Sequence, residues 1–142
     1  MSRMLAWTVA VATVVAAVGF VVLAFVGLSR GALEGREAAV APLFLVGVLA
    51  PTLVGLFLAL RQPGNRVAWI LSLGALSVAV VLAASGVAGL ALYEDRDSTL
   101  GLWAATVAAP WPVLFIWPLV LAFVFPDGAL PSRRWRPVAR SA

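Results

Sequence analysis

Four stretches of this sequence, residues 5–28, 40–60, 67–92 and 102–125, contain no Asp, Glu, Lys or Arg. A helix rises about 1.5 Å per residue, so roughly 20 residues cross a hydrocarbon layer about 30 Å thick. Each stretch is at least that long. Continuous strands of a membrane barrel would be about 10 residues long and would alternate in polarity, which none of these does. The expected fold class is therefore an all-α membrane protein, a four-transmembrane-helix bundle. Composition agrees: 63% of residues are apolar and only 11% charged, against about 25% charged in a soluble domain. Residues 1–126 form the expected membrane domain and residues 127–142 a basic tail. The first stretch follows Arg3 as a signal peptide would, but secretory apolar cores run about 7–15 residues, so a retained anchor is the expectation.

Arginine placement gives an orientation. Short loops rich in Arg face the cytoplasm of a plasma membrane. Arg3, Arg61, Arg66, Arg133, Arg134, Arg136 and Arg140 fall on one side of the four spans, and Arg30, Arg36 and Arg96 on the other. The second side also holds Glu34, Glu37, Glu94, Asp95 and Asp97. Both termini are therefore expected in the cytoplasm. Trp7, Trp69, Tyr93, Trp103 and Phe125 sit near span ends, where amphipathic rings settle at headgroup level.

The residues that usually carry chemistry are missing. The sequence has no Cys and no His, which removes thiolate sites, disulfides, imidazole bases and a phosphoacceptor imidazole. No ionisable group lies inside a span, where proton relays and transport sites normally keep one. The spans offer Thr8, Thr13, Thr52, Ser72, Ser77, Ser85 and Thr106, hydroxyls that typically bond their own helix backbone. Glu94, Asp95 and Asp97 match no 12-residue calcium loop and read as a solvated loop. No phosphate-cradling glycine loop is present. No catalytic, cofactor-binding or metal-binding residue is assigned, and neither enzymatic activity nor a nucleic-acid partner is expected.

Packing and kinks leave two further marks. Small residues recur at fourth positions: Thr8, Ala12, Ala16 and Ala24; Gly47, Pro51, Gly55 and Ala59; Ala75, Ala79 and Ala83. Such stripes let helices approach closely in lipid, within one chain or across a homodimer; alanine is common enough here that intrachain packing is the simpler reading. Pro51 lies mid-span, and Pro110, Pro112 and Pro118 crowd the fourth span. Each removes a helical hydrogen bond and clashes with the preceding turn, so the fourth span is expected to kink or break. With Trp111 and Trp117 beside it, a kink there offers an apolar groove for a ligand or lipid, or is a static structural bend.

Two short segments flank the later spans. The first, Arg61-Gln62-Pro63-Gly64-Asn65-Arg66-Val67-Ala68-Trp69, combines a tight-turn pair with Asn65 as a helix cap. The second, Phe125-Pro126-Asp127-Gly128-Ala129-Leu130-Pro131-Ser132-Arg133-Arg134-Trp135-Arg136-Pro137, is a Pro-Asp-Gly turn followed by basic residues. Arg133, Arg134 and Arg136 would meet anionic lipid headgroups at about 1 kcal/mol each, with Trp135 among them. Together the two segments resemble motifs in the N-terminal membrane region of actinobacterial sensor histidine kinases, an Arg-Pro-x-Asn-Pro-x-Gly-Trp turn and a Phe-Pro-Asp-Gly-x-Leu-Pro-Ser-x-Arg-Trp segment. Residues from about 40 to 138 are covered. Arg66 stands where that family has its second proline, and Ala68 where it has glycine.

The resemblance implies a membrane sensory or regulatory module, the membrane half of a two-component sensor without catalytic residues of its own. A cytoplasmic kinase partner, or a further part of a longer chain, would supply the phosphoacceptor histidine and the ATP-binding domain. Two other readings stand beside it: a structural or accessory subunit of a membrane complex, and a holin-like pore-former. A pore would show a polar stripe down one span, and none is seen.

Overall fold

The computed structural model describes residues 3–33, 35–62, 64–110 and 116–124. Every regular element among them is an α-helix: α1 Arg3–Ser29, α2 Gly35–Arg61, α3 Arg66–Glu94, α4 Thr99–Ala108 and α5 Ile116–Val124. The first three are long and apolar enough to cross a membrane. They coincide with the first three apolar stretches and overrun each at both ends. At 29 residues, α3 is about 43 Å long.

Helices α1, α2 and α3 form the body, each packed on the other two, while α4 and α5 pack on α3. The core of this body is made of small side chains. Among the described residues, its buried apolar members are ten alanines and the valines Val9, Val48 and Val67, with Thr13, Thr52 and Ser72 as the buried polar ones. Ala17, Val48, Ala75 and Ala79 pack together mid-body, and Ala6, Ala59 and Ala68 toward one end. Large side chains such as Trp7, Val22, Phe25, Leu53 and Phe57 face outward. Lipid is as apolar as leucine, so burying bulk gains little there; close backbone approach and dispersion hold the helices instead. Gly55 shows how close: a Cβ placed on it would lie 2.5 Å from Ser72 Oγ and 3.1 Å from both the Ala68 carbonyl oxygen and the Ser72 nitrogen.

On α1 the buried face is Ala6, Val9, Ala10, Thr13, Ala17, Ala24 and Gly27. Of the expected stripe only Ala24 belongs to it fully; Thr8 and Ala12 are exposed. On α2 and α3 the stripes fare better, with Gly55, Ala59, Ala75 and Ala79 all buried. The hydroxyls of Thr8, Thr13, Thr52, Ser77, Ser85 and Thr106 donate to carbonyls three or four positions back in their own helices.

The loops are closed by local hydrogen bonds. After α1, Gly31 takes φ +73°. The Gly31 N–H donates to the Leu28 carbonyl at 3.1 Å and the Ala32 N–H to the Gly27 carbonyl at 2.8 Å, a glycine-terminated helix end. Arg30 there pairs with Glu94 at the end of α3, both half-exposed, so this contact adds little to stability. Asn65 caps α3, its side-chain oxygen accepting from the Val67 N–H at 2.9 Å. Removing that acceptor in Asn65→Ala is expected to destabilise the protein by about 1 kcal/mol, measured by thermal denaturation in detergent.

The fourth apolar stretch is divided. Ser98 caps α4, which ends at Ala108 and gives way to a turn over 109–110; the next described helix starts at Ile116. Pro110 lies in that turn, while Trp111 and Pro112 lie outside the described residues. Both pieces run back along α3. A Cβ on Gly101 would lie 2.7 Å from Leu92 Cγ, and one on Gly74 would lie 3.0 Å from Trp117 Cγ. The step forward from Gly101 to Trp117 thus nearly matches the step backward from Leu92 to Gly74, close to the register of one antiparallel helix.

Candidate functional site: an apolar cavity beside Pro51 and Pro118

Pro51 lies inside α2. It has no N–H, so the Gly47 carbonyl one turn earlier loses its usual helical donor. Gly47 itself has open space where a side chain would be. Across from it, α3 presents Gly74, and the Trp117 indole of α5 lies against that glycine. The result is an apolar cavity of about 250 Å³ between α2, α3 and α5, with Gly47, Pro51, Gly74, Trp117, Pro118 and Leu121 on its walls. Gly74 lies about 12 Å along α3 from that helix's first residue, so the cavity lies well inside the apolar length of that helix.

One polar atom in this region is unsatisfied. Trp117 Nε1 is buried and has no hydrogen-bond partner among the described residues. A buried donor left unpaired costs about 1–3 kcal/mol, and a hydrocarbon layer holds no water to relieve it. Trp117, which bears the unpaired N–H, and Gly47, whose carbonyl lacks its helical donor, both line this cavity.

Apart from Pro110, which lies in the turn after α4, the residues singled out in the sequence separate into three groups. Pro51, Trp117 and Pro118 are brought together on the cavity wall. Arg61, Asn65 and Trp69 gather at the turn from α2 to α3. There the Arg61 guanidinium sits 5.3 Å from the centre of the Phe57 ring, Asn65 caps α3, and Trp69 is half-buried. Pro63, Trp111, Pro112, Pro126, Asp127, Gly128, Pro131, Arg133, Arg134, Trp135 and Arg136 lie outside the described residues, as does the rest of the basic tail.

Sequence reasoning missed several features. Pro42 lies well inside α2 because that helix begins at Gly35, ahead of the apolar stretch. Gly74 gave no sign of its role, since nothing local says that an indole will rest on it. A second cavity of about 300 Å³ opens between α1, α2 and α3 near their other end, beside Phe20, Phe44 and Gly86. The Phe20 and Phe44 rings meet edge to face with centres 6.2 Å apart. Its only forewarning was the concentration of Gly at positions 86 and 89.

Comparison with known proteins finds no matching family model, no similar curated protein and no similar solved structure.

Proposed function

We propose that this protein is a membrane sensory or regulatory module, without catalytic residues of its own, that passes a conformational change to a cytoplasmic partner. The observation that carries the proposal is the division of the fourth apolar stretch into α4 and α5, with α5 seated over an apolar cavity. A regulatory module needs two arrangements that a ligand can bias. Here α1–α3 form a close-packed body, and α5 is a short helix of 9 residues that follows α4 and its proline-bearing turn. Occupation of the cavity would move α5, and α5 leads directly into the Pro-Asp-Gly turn and its arginines. Those segments' resemblance to sensor histidine kinases supports the choice of a kinase as partner.

In this reading the chain crosses the plasma membrane four times, α4 and α5 sharing the last crossing, with both termini in the cytoplasm. The antiparallel register of Gly101 on Leu92 and Trp117 on Gly74 supports the fourth crossing, and the arginine distribution supports the orientation. Trp7, Tyr93 and Trp103 are all more than half exposed, as headgroup anchors would be.

Two measurements test this. A reporter inserted after Asp97 is expected to be active only if it requires the non-cytoplasmic side; activity of a cytoplasm-only reporter there would overturn the orientation. Tagged protein extracted mildly from its native membrane is expected to bring with it a protein bearing a phosphoacceptor histidine and an ATP-binding domain. Recovery of this chain alone, as a discrete homo-oligomer, would defeat the sensory reading and favour a self-contained structural role.

A further inference from the structure

From the unpaired Trp117 N–H beside the proline-interrupted cavity we infer that the ligand is an apolar molecule carrying a hydrogen-bond acceptor oxygen, a carbonyl or hydroxyl on a hydrocarbon body. This deepens the sensory reading above and rests on it. The cavity volume of about 250 Å³ suits a small hydrocarbon body and excludes a whole phospholipid. Its described walls bear no charged side chain, which excludes a carboxylate or ammonium, since a bare charge at that depth would be unpaired. The polar demand that remains is specific: Trp117 Nε1 is a donor only, and it lacks an acceptor among the described residues.

The nitrogen is buried, so an acceptor in the cavity engages it as the indole turns. Any side chain at position 74 would obstruct that turn, since a Cβ there would lie 3.0 Å from Trp117 Cγ and 3.3 Å from its Cδ2. Recognition and movement of α5 are then one event: the ring that finds its partner is the ring that holds α5 on α3. A ligand hydroxyl would serve as well as a carbonyl and could additionally donate to the Gly47 carbonyl.

The same acceptor chemistry has two sources, a free amphiphile and the ester carbonyl of a bilayer lipid whose chain enters the cavity. The indole N–H resonance distinguishes them, because it moves downfield when the proton enters a hydrogen bond. The protein is placed in nanodiscs of ether-linked or ester-linked phosphatidylcholine, and the Trp117 signal is identified by its loss in Trp117→Phe. In ether-lipid discs, 2-undecanone is expected to move that signal downfield saturably, while undecane does not. A signal already downfield in ester-lipid discs alone, and not in ether-lipid discs, assigns the oxygen to the lipid and equally upholds an acceptor at Trp117.

Trp117→Phe is expected to weaken ketone binding about two- to tenfold, the effect of one net hydrogen bond. Gly47→Leu, introduced where no atom lies within 4 Å of the new Cβ, is expected to abolish it by filling the space. A signal downfield in ether-lipid discs without ketone would overturn the inference, because the chain itself or an ether oxygen would then supply the acceptor and no carbonyl or hydroxyl would be needed. So would an equal response to ketone and alkane. The resonance reports binding alone and partner recovery reports the sensory role, so each can fail without the other.

Discussion

Replacing Gly55 by leucine is expected to break apart the α2–α3 contact and unfold the body of the protein in detergent. Even the first carbon of a new side chain meets Ser72 Oγ at 2.5 Å and two backbone atoms of α3 at 3.1 Å. A flexible side-chain tip can swing away, but a carbonyl oxygen and an amide nitrogen inside a helix move only with the helix. Overpacking of a well-filled core costs about 1–3 kcal/mol. Gly55→Ala should fall within that range and Gly55→Leu beyond it. Thermal denaturation in detergent reads both. Gly47→Ala is the matched control on the same helix, where the new Cβ meets nothing within 4 Å. It should gain about 0.5–1 kcal/mol from the better helix propensity of alanine. Equal melting temperatures for Gly55→Ala and the unaltered protein would refute the close contact.

Gly74 should behave differently although its surroundings look equally tight. Its virtual Cβ meets Trp117 at 3.0 Å on Cγ and 3.1 Å on Cβ, and Trp117 belongs to a short helix outside the three-helix body. Gly74→Leu is therefore expected to push α5 off its seat while α1–α3 stay packed. A cost of about 1–3 kcal/mol applied to that docking alone changes the docked-to-undocked ratio by about tenfold for every 1.4 kcal/mol. The readout is maleimide labelling of a cysteine placed at Leu121, in a chain with no other cysteine. Labelling should accelerate by about tenfold or more with little change in melting temperature. On the sensory reading proposed above, the partner in native membranes should be driven toward its ligand-bound signalling state with no ligand present. A melting temperature lowered as far as in Gly55→Leu would mean that α5 is part of the body, and the separation of a fixed body from a movable α5 would be wrong.

What the sequence disclosed followed from where its signals are strong. Charge-free runs as long as a membrane span have few alternatives, and α1, α2 and α3 appear where those runs are. Asn65 was legible as a cap because a polar side chain at a helix start has one common use. The division of the fourth run was legible in kind, since Pro110 and Pro112 cannot continue a helix undisturbed. Helix faces were harder. On α1 alanine and other small residues occur on several faces, so their spacing places no preferred stripe, and Thr8 and Ala12 proved exposed. The complementary signal was more informative: Trp7, Val11, Val15, Val18, Val22 and Phe25 mark the outward surface, and the buried face is what they leave. The cavity could be suspected from Pro51, Trp117 and Pro118 but not located, because Gly74 and Gly47 contribute by lacking a side chain and only the tertiary arrangement reveals that.

A core built of alanine has nothing left to remove. Ten of the thirteen buried apolar positions described here already hold the residue that a truncation scan would install, so such a scan would pass over the body in silence and report only on lipid-facing bulk. The informative scan runs the other way, adding one methyl at a time. Substitution over generations should obey the same asymmetry. Outward positions such as Val22 and Leu53 are free to exchange among leucine, valine and phenylalanine, while Ala17, Ala75 and Ala79 are confined to alanine, glycine and serine. In this protein the slowest-changing residues should be its smallest.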